Sequence, residues 1–97
     1  MKAIFISYNQ AHEERILSTL GHLNLRGFTN WEESKGCGSI KGDPHFGSHA
    51  WPALNGSMLV IVPNEKAPLL MRDLRSLDQE KPALGLRAFQ WAVEESI

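Results

Sequence analysis

Cys37, Asp43, His45 and His49 sit close together in the chain. A thiolate with two imidazoles is a donor set suited to zinc or copper, so Cys37, His45 and His49 form a candidate metal site, with Asp43 as a fourth ligand. The spacing of His45 and His49 puts both rings on one side only if the segment is helical, and Pro44 and Gly47 oppose a helix there. Cys37 beside His45 also has the makings of a nucleophile and base. No third group is identifiable to orient such a base, so the sequence reads as non-enzymatic. Gly36 and Gly38 flank the cysteine and point to a different chemistry. Glycines let a ligand come close to the backbone and turn N–H groups toward an anion. The plainer reading is that the two glycines only turn the chain out of a strand.

These residues need elements to hold them. Lys2 to Tyr8 is β-branched and aromatic with little polarity, which predicts a buried central strand. Asn9 can cap the helix that follows, Glu13 and Glu14 lie at its positive end, and Ile16, Leu17, Leu20 and Leu23 recur at helical spacing until Gly27. His12 and His22 on its flanks are expected to be solvated. Phe28 to Lys35 alternates as a half-buried strand and runs into Gly36-Cys37-Gly38. Ser57 to Val62 is a continuous apolar run and so a second central strand. Asn64 can cap a second helix, with Pro68 in its first turn and a stripe of Ala67, Leu70, Leu74 and Leu77 ending near Gln79. Pro82 and Gly85 mark a turn before a last strand from Arg87 to Val93. The order β-α-β-β-α-β predicts a ferredoxin-like α+β fold, with an antiparallel sheet and strands one and three in the centre.

Between the second and third strands lies the segment 39–56, with three glycines, two prolines, two histidines and Trp51, and with no sustained periodicity. It reads as a long loop. Connections beyond about 12–15 residues are uncommon in compact domains unless they carry function or are disordered, and Phe46 and Trp51 favour a loop that orders against something.

Composition narrows the function classes. With 97 residues the chain is expected to form one domain, 1–97. Ten basic against 11 acidic residues, a formal charge of -1, leaves no electrostatic footprint for a nucleic-acid backbone. The one cysteine cannot form an internal disulfide, which fits a reducing, cytoplasmic setting. Ala3 to Ile6 is too short for a signal-peptide core, and no run is long enough to span a membrane. Phe89 and Trp91 on an outer strand of so small a domain predict packing between subunits.

Gly27-Phe28-Thr29, followed by Lys35-Gly36-Cys37-Gly38-Ser39-Ile40-Lys41-Gly42, resembles the stretch of PII signal-transduction proteins that closes their second strand and opens the T-loop. There the pattern is Gly-x-Thr, then Lys-Gly-aromatic-Gly-x-x-Lys-Gly. Here Cys37 replaces the aromatic residue, and one extra residue separates the halves. The resemblance implies a homotrimer with effector sites in the clefts between subunits, and a T-loop that engages a channel, transporter or enzyme, as in nitrogen regulation. Carried over residue by residue, it implies effector contacts from Thr29, Gly36, Cys37, Gly38 and Lys41. The partner-binding loop would present Ser39, Ile40, His45, Phe46, His49 and Trp51. The family's effector is an adenine nucleotide, gripped by a glycine- and lysine-containing B-loop and a basic C-terminal segment. Leu77 to Gly85 lacks that B-loop pattern, and the residues up to Ile97 lack the basic segment. The family's uridylylated T-loop tyrosine has no counterpart, since the one tyrosine, Tyr8, is in the first strand. The related CutA-like trimers share this fold and an association with divalent metals, and they supply the alternative reading.

Overall fold

The computed structural model describes residues 1–37, 43–47 and 53–97. Strand β1 (Lys2–Asn9) leads through a 3-10 turn (Gln10–His12) into helix α1 (Glu13–His22). Strands β2 (Phe28–Ser34) and β3 (Asn55–Val62), helix α2 (Ala67–Glu80), a second 3-10 turn (Pro82–Leu84) and strand β4 (Arg87–Ala92) follow. All pairings are antiparallel and the sheet order is β2-β3-β1-β4. This is the ferredoxin-like arrangement, with the two apolar runs in the centre as their composition requires.

The side-chain period of two divides the sheet into two unlike faces. Ile4, Ile6 and Tyr8 of β1 and Met58, Val60 and Val62 of β3 point to the helices, and they form one buried core with Ile16 and Leu20 of α1 and Leu70, Leu74 and Leu77 of α2. Each such side chain contributes roughly 1.5–3 kcal/mol by leaving water. Residues of the other parity face away. Ala3, Phe5 and Ser7 lie opposite Ile61, Leu59 and Ser57 on one side and opposite Trp91, Phe89 and Arg87 on the other. Trp31, across from Ser57, completes this open face. Phe89 is 58% exposed, Trp91 50% and Trp31 47%, so among the described residues these three rings stand largely open.

Several local expectations change. Asn9 does cap, but it caps the 3-10 turn, accepting from the Ala11 N–H at 2.9 Å. Helix α1 stops at His22 rather than near Gly27, because Asn24 takes a left-handed φ of 56° and the Leu25 N–H turns back to the Leu20 carbonyl at 2.8 Å. Asn64 lies in the turn before α2 and not at its cap. The Pro63 carbonyl there accepts from the Lys66 and Ala67 N–H groups, so the chain is already turning when Ala67 starts the helix. β2 is mostly exposed rather than half-buried, since it is an edge strand with neither face covered along most of its length. His12 is buried, at 3% exposure, and not solvated, because the 3-10 turn sets it near Asp78, Glu80 and Lys81 at the C-terminal end of α2. His22 is exposed, with Nδ1 3.0 Å from the Ser18 carbonyl.

Candidate functional site: the stem of the long loop

β3 begins at Asn55, two residues earlier than the apolar run, so the connection from β2 to β3 covers residues 35–54. Its ends are built. Beyond a register shift between Trp31 and Ser34, Gly36 and His45 form an isolated antiparallel bridge, with the Gly36 N–H donating to the His45 carbonyl at 3.2 Å and the His45 N–H returning to the Gly36 carbonyl. The Gly47 N–H donates to the Ala53 carbonyl at 2.9 Å, and the Gln10 N–H to the Leu54 carbonyl at 3.0 Å. The loop therefore leaves the sheet through a hydrogen-bonded stem.

The stem closes over a polar cluster. His45 is buried, at 4% exposure, and its Nδ1 is 3.3 Å from Asn55 Oδ1. Asn55 Nδ2 donates to Ser34 Oγ at 2.9 Å, Ser7 Oγ at 3.3 Å and the Gly56 carbonyl at 3.2 Å. Ser34 and Ser57 hydroxyls are 2.7 Å apart. These groups occupy the loop-facing end of the open sheet face, whose other end is apolar. Buried polar atoms in such number are tolerated because they satisfy one another. On the solvent side of the stem, Glu33, Ser34, Lys35, Phe46, Gly47 and Leu54 line a cleft of about 270 Å³.

Gly36 owes its identity to this cluster. A Cβ there would lie 2.9 Å from Asn55 Nδ2, while its φ is not in the left-handed range, so what position 36 requires is close approach rather than an unusual backbone conformation. Cys37 is exposed beside it. Gly38, Ser39, Ile40, Lys41, His49 and Trp51 lie outside the described residues. Thr29 is on the open face opposite Leu59, on the order of 20 Å along the strand from Gly36 at about 3.3 Å per residue. Within one chain it does not join the stem. Among the described residues no group of three histidine, cysteine or acidic side chains is placed to hold a metal ion. Of the metal candidates, His45 turns its Nδ1 to Asn55, Cys37 is exposed, and His49 lies outside the described residues.

A second polar region lies where the resemblance places the B-loop. The 3-10 turn Pro82–Leu84 ends on Gly85 with a left-handed φ of 69°, and behind it Met71, Leu74, Arg75, Asp78, Leu86, Arg87 and Ala88 line a cavity of about 170 Å³. Arg87 Nη1 donates to the Leu86 carbonyl at 2.7 Å and stands 3.8 Å from Asp78 Oδ1. His12 Nε2 is buried with no hydrogen-bond partner among the described residues. Burial above all, then the charges of Lys81 and Arg15, hold its imidazole below the usual pKa, with Asp78 and Glu80 opposing.

The polar cluster is not legible in the sequence. Asn55 and Gly56 look like loop residues, and the one signal for them is parity, because Asn55 and Ser57 continue backward the alternation of Leu59 and Ile61. Tyr8 shows the same kind of surprise. Its hydroxyl is 3.0 Å from Asn30 Oδ1 and 3.2 Å from Glu13 Oε1, tying β1, β2 and α1 together. Burial first, and then the Glu13 carboxylate, keep this phenol protonated far above its usual range.

No protein-family model matches the chain, and no curated protein matches it in sequence. Solved structures do match. CPII, a nitrogen regulatory PII-like protein from Thiomonas intermedia K12, bound to ADP, AMP and bicarbonate, is 18% identical with a TM-score of 0.75, covering 93% of this chain and 82% of that one. Its apo form is 17% identical with a TM-score of 0.71 over 93% and 85%. A Thermus thermophilus protein classed as PII-like signaling is 21% identical with a TM-score of 0.64 over 93% and 83%. At such identities the likeness shows a shared fold, the one these PII-like proteins adopt.

Proposed function

We propose that this PII-like fold serves as a regulatory protein rather than an enzyme, a homotrimer that binds a small effector in its intersubunit clefts and acts on a partner protein through the loop between β2 and β3, residues 35–54. The observation that carries the reading is the open sheet face. Phe5, Leu59, Ile61, Phe89, Trp91 and Trp31 form an apolar surface directly beside the loop stem, and a second and third copy of the chain are its natural cover. Exposed apolar surface of this extent is uncommon on a protein that works alone. Packing subunits there would bring the stem of one chain toward a neighbour, where Thr29, Gly36, Cys37, Gly38 and Lys41 are the proposed effector contacts. Ser39, Ile40, His45, Phe46, His49 and Trp51 would form the partner-facing loop, with His45 placed at its root.

ADP, AMP and bicarbonate are the first effectors to test, because CPII of Thiomonas intermedia is bound to them. The cations available near the turn before β4 are Lys81, Arg75 and Arg87, and Lys35 stands at the stem. Thermal unfolding with each of these ligands, and with zinc, separates the readings. A ligand at one hundred times its dissociation constant adds about 2.7 kcal/mol, which is a shift of at least about 10 °C for a domain this small. Stabilisation by a nucleotide or bicarbonate supports the regulatory reading, and stabilisation by zinc alone favours the CutA-like one.

A further inference from the structure

We propose that Asn55 is a positioning residue, a latch that fixes the loop stem to the polar end of the open sheet face so that the loop and the assembly face respond to each other. The amide orientation follows from its partners. The Gly56 carbonyl can only accept, so Nδ2 must point toward it and the two serine hydroxyls, which leaves Oδ1 to accept from the His45 Nδ1–H. One side chain thus engages the returning arm of the loop through His45, the end of β2 through Ser34, and β1 through Ser7. Ser34 passes the linkage on to Ser57.

The outgoing arm is held by shape. Gly36 bridges to His45 and lies against the Asn55 amide so closely that a methyl would come 2.9 Å from Nδ2. Both arms therefore depend on one residue. Ser7 and Ser57 share the open face with Phe5 and Leu59, so a displacement of the stem reaches the surface on which the copies are proposed to pack. A buried network of this kind has few alternative arrangements, because each member left unpaired is costly. That the latch serves an effector site rests on the regulatory reading above; the latch itself does not.

The test measures amide hydrogen exchange by mass spectrometry in the full chain and in Asn55→Ala, Gly36→Ala and the double variant. Each single substitution is expected to speed exchange at Gly36 and His45 at least tenfold, with the amides of β1 and β3 unchanged. The double variant should exchange no faster than Asn55→Ala, since the methyl then meets no amide. Unchanged exchange at the stem, acceleration spread evenly through β1 and β3, or a Gly36→Ala effect that persists in full without Asn55 would each overturn the latch. Should Asn55→Ala fail to fold, Gly36→Ala decides alone by the same exchange criterion. ADP titration of the same proteins addresses the effector. If the parent binds ADP, Asn55→Ala should weaken it at least fivefold, and unchanged affinity would overturn the latch's role at that site. A parent that binds no ADP counts against the functional reading and leaves the latch to the exchange data.

Discussion

Replacing Gly56 with alanine places a methyl where the ring of Tyr8 now lies. The two residues are directly opposed across β1 and β3, and the new Cβ would be 2.7 Å from Tyr8 Cε2 and Cζ and 2.8 Å from its hydroxyl oxygen. Tyr8 is fully buried, so the ring has no open space to move into. Overpacking of a close-packed core costs about 1–3 kcal/mol. Shifting the ring also strains the hydroxyl contacts to Asn30 and Glu13, each worth about 1 kcal/mol. A loss of about 3–5 kcal/mol follows, which is a large share of the stability of any small domain. Urea unfolding at fixed protein concentration measures it, since assembly would otherwise make the midpoint concentration-dependent. Tyr8→Phe, which removes only the hydroxyl, should lose about 1–2 kcal/mol. In a Tyr8→Ala background the alanine at 56 should cost little, because the atoms it strikes are gone. A loss below about 1 kcal/mol for Gly56→Ala, or an equal loss with and without the tyrosine ring, would refute the steric argument.

His12 predicts a pH dependence. Its folded-state pKa lies below the ordinary imidazole value of 6.5, so its contribution to stability is complete above that pH and declines as pH falls below it toward the folded value. Denaturation midpoints between about pH 8 and pH 5 should show this fall and His12→Leu should reduce it; an unchanged slope in the variant would assign the effect elsewhere. Trp91→Glu, on the open face, should convert the proposed trimer to monomers by light scattering with secondary structure intact, and a trimer mass unchanged by the substitution would remove that face from the interface. Leu74→Ala, in the core beneath α2, should cost about 2–5 kcal/mol in urea unfolding through loss of burial and an unfilled cavity, and a loss under about 1 kcal/mol would mean that the site collapses around the smaller side chain.

By itself the sequence determined the element order and which strands lie in the middle. Continuous apolar runs at Ala3–Ile6 and Met58–Val62 admit few other placements, and the stripes of α1 and α2 must cover them. It also located the long loop, since glycine and proline break every periodicity between β2 and β3. What it left undecided depends on neighbours distant in the chain. His12 is buried because a 3-10 turn, capped by Asn9, sets it near the C-terminal end of α2, and no local spacing distinguishes that from a solvated flank. Phe89 and Trp91 alternate like a half-buried strand, but which parity meets the helices is fixed only by pairing β4 with β1. Gly36 and Gly56 illustrate the limit most clearly. As letters they suggest turns, yet each is glycine because a side chain from elsewhere, Asn55 or Tyr8, lies where a Cβ would stand. Such exclusions arise only when tertiary packing brings two backbones into register.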